Sequence, residues 1–345
     1  MTPLRSIAIL WDSLSTTSAS SAETGAAEAA AVASIGGVID EVAQVASSLG
    51  LRVDRVPLSS DPRTMLAQVA AIDADVVVNL AESWAGRVRN EAGVAWTLEL
   101  RGCAYTGATP RALALCLEKP LTRALLASAG VPVPEGATMS DSRAPWPLGA
   151  RGPWIVKPAA QDASHGIDAA SVVHDEPPAR ARVEHLIARG LGPALIERYV
   201  DGRELNVSIV ELDGAPPRAL PVAEIDYSRF PANLPRILTF SAKWDEESDE
   251  YRGSASVEAR DLDAELRARI EQVALAAWRA LGLRDYGRVD LRLDRDGAPF
   301  VIDVNPNPDL SRGAGLCLAA ERAGIGYEGL IAGLLRGAAR RARTD

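Results

Sequence analysis

Residues 288–310 read Arg-Val-Asp-Leu-Arg-Leu-Asp-Arg-Asp-Gly-Ala-Pro-Phe-Val-Ile-Asp-Val-Asn-Pro-Asn-Pro-Asp-Leu, a spacing that can gather two carboxylates and a carboxamide on one patch. Val289, Leu291 and Leu293 alternate with Arg288, Asp290 and Arg292, the period of a half-buried strand. Asp294-Arg-Asp-Gly297 supplies turn chemistry, with a glycine able to take positive φ. The return strand places Phe300, Ile302 and Val304 on one face and Val301, Asp303 and Asn305 on the other. With Asp290 opposite Val301 or Asp303, the groups Asp290, Asp303 and Asn305 all point the same way. A slip of one residue would separate them and expose the apolar face, so packing selects the register. Carboxylates gathered in this way repel unless a cation lies between them. All three groups offer hard oxygen atoms, which favours Mg²⁺ with its remaining positions filled by substrate phosphates. For any single aspartate a solvated surface hairpin accounts better. The apolar run that leads straight into Asp303-Val-Asn305 shifts the balance towards a site at a strand end.

Two further stretches carry chemistry. Trp154-Ile-Val-Lys157-Pro158 ends an apolar strand on a lysine, and the following loop holds Ser164 and Gly166. Backbone N–H groups around a glycine, beside a lysine, can cradle phosphates, although most such turns are only turns. Leu195-Ile-Glu197-Arg-Tyr199-Val200 ends another apolar strand on an acid, and Glu204 opens the next strand after Gly202. One acid there can accept from an adenine amino group and the other from ribose hydroxyls. A solvated hairpin explains each acid equally well when it is taken alone.

The elements that must position these groups follow from pattern. Residues 1–118 alternate strand and helix signals: strands at 7–10, 51–58, 76–80 and 103–105, and helices at 26–49, 62–72 and 91–101. This is a βαβ pattern with a parallel sheet. Thr109-Pro110 reads as a cap followed by proline at the first helical position. A small α+β unit is expected over 119–193, with a helix from Lys119, a hairpin made of 154–157 and 169–173, and a helix at 177–189. Residues 194–345 form the third unit, with adjacent antiparallel strands at 195–199, 205–210 and 218–224, a helix at 264–281, the hairpin, and two terminal helices. Residues 227–253 show no periodicity but contain five aromatic residues, which suits a functional lid. The arginine-rich end, 336–343, is expected to be a solvated helix face.

Bulk properties narrow the classes. The chain has 345 residues, 47% of them hydrophobic and 24% charged, which suits a globular protein with a sizeable core. A net charge of −9 argues against nucleic-acid binding. No apolar run spans a bilayer and the N-terminus lacks a signal-peptide h-region, so a membrane partner is not expected and a cytoplasmic location is. Cys103, Cys116 and Cys317 are scattered and odd in number, which argues against disulfides and a zinc site. Neither Gly-x-Gly-x-x-Gly nor a Walker A motif occurs, so an ATP site must be built another way.

In this order and spacing, Ile-Val-Lys157-Pro, Ile-Glu197-Arg-Tyr-Val, Gly287-Arg288-Val-Asp290 and Asp303-Val-Asn305-Pro-Asn-Pro308 resemble the ATP-grasp superfamily, most closely its D-alanine–D-alanine ligase family. Tyr105-Thr-Gly107 and Cys116-Leu-Glu-Lys119 match that family's linker into its central domain. The resemblance implies an α/β and α+β ATP-grasp fold: an N-terminal parallel α/β domain, then two α+β subdomains that clamp ATP. It implies an ATP-dependent carboxylate–amine ligase acting through an acyl phosphate on small amino-acid or carboxylic-acid substrates. Lys119 and Lys157 would contact ATP phosphates, as would the loop of Ser164. Glu197, Tyr199 and Val200 would hold the adenine, Glu204 the ribose, and Lys243 the γ-phosphate. Asp290, Asp303 and Asn305 would bind two Mg²⁺ ions, with Mn²⁺ as a substitute. Arg288 would hold the oxyanion, and Glu91, Asp309 and Ser311 would face substrate. A homodimer is compatible with this reading.

The resemblance departs on the amino-acid side. The family's Gly-Gly-x-Ser loop and its glutamate are replaced by Trp11-Asp-Ser-Leu-Ser-Thr-Thr-Ser, with Glu23 a loose candidate for the acid. Its His-Gly becomes Glu82-Ser83, a frequent serine becomes Ala163, and the tyrosine after the lid lysine becomes Trp244. Asp309 stands for a glycine and Ala314 for the serine that grips the second carboxylate. The expectation is retained ATP chemistry with a substrate pair other than two D-alanines. A D-alanine–D-alanine ligase is the alternative. A nucleotide-binding protein without catalysis is a third reading, although it would not need metal ligands and an oxyanion arginine together.

Overall fold

The computed structural model describes residues 4–16, 25–149, 151–161 and 164–342, so Glu23 and Ala163 lie outside the described residues. Three strands, β1 (Ser6–Asp12), β2 (Arg52–Leu58) and β3 (Val76–Asn79), pair in parallel in the order β2-β1-β3. Both β1 and β3 are buried along their whole length, as continuous apolar runs in a parallel sheet should be. The helices around them are α1 (Gly25–Ser48), α2 (Pro62–Ala70) and α3 (Glu91–Arg101). The strand expected at 103–105 amounts to one parallel bridge, Val77 to Tyr105. Helix α4 (Pro110–Leu117) starts where its cap predicts, the Thr109 hydroxyl accepting from the Ala112 N–H, and α5 (Lys119–Ser128) follows.

The next sheet has four antiparallel strands in the order β4-β7-β5-β6: β4 (Gly136–Met139), β5 (Arg151–Pro158), β6 (Val172–Asp175) and, after α6 (Glu176–Ala188), β7 (Ala194–Arg198). Strand β4 has no period to announce it. Strand β7, expected beside the strand that follows it, instead pairs with β5, and hydrogen bonding carries this sheet past residue 193. In that register Ile155 faces Glu197 and Lys157 faces Leu195, which puts Lys157 and Glu197 on one face.

The third sheet runs β11-β10-β8-β12-β13, with β9 attached to β8. Its strands are β8 (Glu204–Val210), β9 (Arg218–Ala219), β10 (Ala223–Asp226), β11 (Ala255–Glu258), β12 (Tyr286–Leu293) and β13 (Pro299–Asn305). One strand was expected over 218–224. It is broken around Pro221, which cannot donate to a ladder. The stretch 227–253 carries two short helices, α7 (Phe240–Trp244) and α8 (Asp249–Arg252), each started by a hydroxyl cap, from Thr239 and Ser248. Helices of four or five residues are too short to leave a period in the sequence.

Helix α9 (Ala264–Leu281) matches its expected bounds and buries Ile270, Ala274 and Trp278 against Val207, Val289, Leu291 and Val301. The hairpin register sets Asp290 opposite Asp303 and Arg288 opposite Asn305, so all four side chains share a face. A bulge then shifts the pairing so that Leu291 opposes Val301. The expected phase fails at that point: Val301 joins the core, and Ile302 turns to a cleft. Gly297 closes the turn at φ +76°, as expected.

Helices α10 (Gly315–Arg322) and α11 (Gly326–Arg341) pack against the parallel sheet through Leu316, Leu330 and Leu334. The arginine-rich end is not a solvated face throughout. Arg341 forms an ion pair with the wholly buried Asp285, which also accepts from the Gly107 N–H at 2.8 Å. Burial pushes the Asp285 carboxyl up, and Arg341 only partly opposes the shift. The three cysteines are free thiols, and no helix among the described residues is long and apolar enough to cross a membrane.

Candidate active site

Two clefts meet at the open ends of β12 and β13. The first lies between the four-stranded and the third sheet. Among its lining residues are Lys119, Lys157, Ser164, Glu197, Tyr199, Val200, Glu204, Lys243, Asp290 and Asp303, ten positions singled out from sequence. The second, with a volume of about 400 Å³, is lined by Glu82, Glu91, Trp244, Arg288, Asn305 and Asp309, among others. Leu238, Lys243 and Asp303 line both. Ser311 lines neither. Its N–H and hydroxyl are engaged by Asp309, each at 2.8 Å, in a turn at the rim.

The first cleft is built from compensated charge. Glu197, 1% exposed, bridges Lys157 Nζ at 2.6 Å and Arg123 Nε at 2.6 Å. Lys157 Nζ also donates to the Ile302 carbonyl at 3.2 Å, which ties β5 to β13. Glu204 accepts from the Tyr227 hydroxyl at 2.8 Å and lies 3.3 Å from Arg292 NH2. Burial and the Glu204 charge push the Tyr227 phenol up, well above its ordinary range. Arg292 also donates to the Val200 carbonyl at 3.1 Å and stacks 4.9 Å from the Tyr199 ring centroid. Sequence reasoning assigned no role to Arg123, Tyr227 or Arg292. Arg292 was within reach, since it continues the alternation 288, 290, 292. Arg123 stands four residues after Lys119 on one helix face. Tyr227 sits in a segment without a period, and composition marks it only as one of the five aromatic residues of the expected lid.

At the junction, Lys119 Nζ lies 2.8 Å from Asp303. Arg288 grips Asp290 with two bonds, of 2.7 and 2.9 Å, and Asn206 donates to the same carboxylate at 2.7 Å. Burial pushes the Asp303 carboxyl up, but the ammonium charges of Lys119 and Lys157 outweigh it and hold it at about 2. Burial lowers the Lys243 ammonium and the charge of Arg288 lowers it further, against the pull of Asp290, Asp303 and Glu204. The Asp290 charge raises Arg288 further above its ordinary value, and desolvation opposes this.

The donor set suits Mg²⁺. Asp290 and Asp303 are direct cross-strand neighbours, Asn305 follows on the same face, and every donor is an oxygen. No group of three or more His, Cys, Asp or Glu side chains with metal-holding geometry occurs among the described residues. A metal there would depend on the two aspartates, the amide and oxygens from a ligand.

The loop after β5 is held over the first cleft from both sides. Arg182 of α6 donates to the Gly166 carbonyl at 2.7 Å and pairs with Asp168 at 2.9 Å. Ser164, at φ 61°, donates its hydroxyl to the Leu238 carbonyl at 2.9 Å, and the Phe240 N–H donates to the Ile167 carbonyl at 3.1 Å. These bonds close the aromatic segment onto the loop, the arrangement expected of a lid.

The walls of the second cleft come from α3 and α4 and from β8, β10, β12 and β13, with the loops of Glu82 and Asn307 closing it. Asp12, at the end of β1, accepts from the Ser83 hydroxyl at 2.9 Å and the Gly86 N–H at 3.1 Å, fixing the loop that carries Glu82. Glu91, the first residue of α3, accepts from the Asn307 side-chain amide at 2.8 Å.

A family model described as D-ala D-ala ligase C-terminus matches residues 148–336. A D-alanine–D-alanine ligase of Desulforudis audaxviator is 31% identical over 258 residues, 73% of this chain and 78% of that protein. One of Ralstonia nicotianae is 29% identical over 276 residues, 79% of this chain and 77% of that protein. An uncharacterized protein of Sinorhizobium fredii is 33% identical over 294 residues, 84% of this chain and 82% of that protein. The crystal structure of a Bacillus anthracis D-alanine–D-alanine ligase complexed with ATP superposes with a TM-score of 0.71, covering 99% of each chain at 21% identity.

Proposed function

The chain belongs to the D-alanine–D-alanine ligase family and is an ATP-dependent carbon–nitrogen ligase, and we propose that it joins a carboxylic acid or amino acid to an amine other than in the pair D-alanine plus D-alanine. The observation that carries this reading is the junction of the two clefts. Lys243 and Asp303 line both, so a nucleotide's terminal phosphate and a substrate carboxylate would meet there.

The roles follow from placement. The carbonyls and side chains around Glu197, Tyr199 and Val200 suit the adenine, and Glu204 the ribose. Lys119, Lys157 and Lys243 supply positive charge for the phosphates. Asp290, Asp303 and Asn305 would hold Mg²⁺, which when bound neutralises charge on the transferring phosphoryl group. A carboxylate is a poor electrophile. Its oxygen takes the γ-phosphoryl group of ATP, ADP leaves, and the acyl phosphate forms. The amine then attacks the carbonyl carbon and inorganic phosphate leaves. Arg288 is fixed by Asp290 where the tetrahedral oxyanion develops, so it needs no reorganisation as charge builds. The closed segment over the loop of Ser164 keeps out water that would hydrolyse the acyl phosphate.

The altered substrate pair is supported by where the departures fall. Glu82, Trp244 and Asp309 all line the second cleft, while the first keeps every expected lysine and acid. The relatives named as D-alanine–D-alanine ligases favour the second reading, ligation of two D-alanines. Phosphate release with ATP, Mg²⁺ and a panel of D- and L-alanine, D- and L-serine, D- and L-lysine and D-lactate separates the two, with mass spectrometry of the products. Release greatest with mixed or non-alanine pairs supports the first reading. Release with D-alanine alone, giving the dipeptide, establishes the second. No release with any of them, despite ADP binding, overturns both in favour of nucleotide binding without catalysis.

A further inference from the structure

Asn307 lies in the turn after β13, and each side-chain atom that can hydrogen-bond is engaged. Its Nδ2 donates to Glu91 Oε1 at 2.8 Å and to the Ala81 carbonyl at 3.3 Å. Its Oδ1 accepts from the Tyr286 hydroxyl at 2.9 Å. The Glu91 carboxylate and the Ala81 carbonyl can only accept, so the amide must turn its NH₂ towards them, and the wholly buried Tyr286 hydroxyl then donates to Oδ1. The backbone N–H of Asn307 separately donates to Asn305 Oδ1 at 2.9 Å. One short turn therefore connects the carboxamide proposed for the metal with an acid from the N-terminal sheet's third helix. Glu91, Asn305 and Asn307 all line the second cleft.

We infer that Asn307 is a positioning residue that holds the Glu91 carboxylate at the substrate end of the cleft, in register with the hairpin. The inference rests on the ligase reading above, in which Glu91 faces the amino-acid substrate. The amide donates to Glu91 without neutralising it. This bond therefore orients the carboxylate that would receive a substrate ammonium, where a lysine in the place of Asn307 would compete for it.

The test is a double-mutant cycle with the amino acid of the panel that supports the fastest phosphate release. Asn307→Asp keeps the shape and the backbone bond to Asn305 but turns an acceptor towards Glu91. The KM for the amino acid should rise about tenfold or more while kcat changes less. Affinities for ADP and Mg²⁺ should stay within about twofold, since the bonds of the first cleft are untouched. Glu91→Gln in that background restores the contact with reversed polarity, the new glutamine amide donating to the new aspartate. The two losses should therefore be clearly less than multiplicative. Tyr286→Phe, which removes the bond to Oδ1 but leaves the two acceptors that orient the amide, should raise the same KM by a smaller factor. An Asn307→Asp KM within about twofold of wild type, or ADP and Mg²⁺ affinities that fall as far as the KM rises, overturns the positioning role. Multiplicative losses in the cycle overturn it as well. Absence of turnover by the unaltered protein with every amino acid is a different result, and sinks the ligase reading on which this one stands.

Discussion

The two halves of the active-site region handle their acids in opposite ways. In the nucleotide half the acids are matched by cations: Glu197 by Lys157 and Arg123, Glu204 by Arg292, and Asp303 by Lys119. In the amino-acid half, Asp12, Glu91 and Asp309 receive neutral donors, from Ser83, Gly86, Asn307 and Ser311. A buried ion pair holds its geometry before the ligand arrives but costs desolvation, whereas a neutral donor orients an acid and leaves its charge to be used. The first arrangement suits a polyanion, and the second suits a cationic group.

The strongest way to break the comparison is at the junction. Lys243→Ala removes the one lysine that lines both clefts, and should lower turnover by about 10²- to 10³-fold while ADP affinity in a calorimetric titration stays within about threefold. Equal losses in both would place Lys243 wholly in the nucleotide half. Next comes Glu197→Gln, which leaves Lys157 and Arg123 facing a neutral amide. Breaking a buried pair in this way should cost about 3 kcal/mol in urea unfolding and weaken ADP binding. An equivalent substitution in the other half, Glu91→Gln, should change stability by less than about 1 kcal/mol, because its contact with Asn307 is a neutral one that the glutamine can still make. Similar destabilisation by the two would erase the contrast.

Smaller effects sharpen it. Gly166 has φ +74°, and a Cβ there would lie 2.8 Å from Pro158 Cγ, so Gly166→Ala strains the loop over the first cleft. The KM for ATP should rise several-fold, and the KM for the amino acid should not. The smallest effect is a pH dependence. The folded pKa of Asp303, about 2, is below its ordinary value of 3.8, so its stabilising contribution is present above about pH 4 and fades as pH falls towards 2. The stability difference between wild type and Asp303→Asn should shrink across that window. A constant difference would mean that the Lys119 and Lys157 charges do not act on the carboxylate.

Much of the nucleotide half could be read in the chain because its groups are local. Lys157, Glu197, Asp290 and Asp303 each end or alternate along a strand whose apolar period is visible, and the hairpin register follows from burying one face. The amino-acid half could not be read in the same way. Its walls are helices and strand ends from separate sheets, and the Glu91–Asn307 contact joins residues 216 positions apart, a pairing that no local period specifies.

The sequence by itself determined that Arg288, Asp290, Asp303 and Asn305 share a face, since alternation along β12 and the end of β13 leaves little choice of side for them. It determined the helix start at Thr109 for the same local reason, a side-chain oxygen answering an N–H three residues on. The tertiary structure decided the rest. It placed β7 beside β5, shifted Val301 into the core through a bulge, and paired Arg341 with Asp285. These outcomes depend on which surfaces meet once the chain is compact. Long-range burial and charge pairing fix them, and neither leaves a period in the sequence.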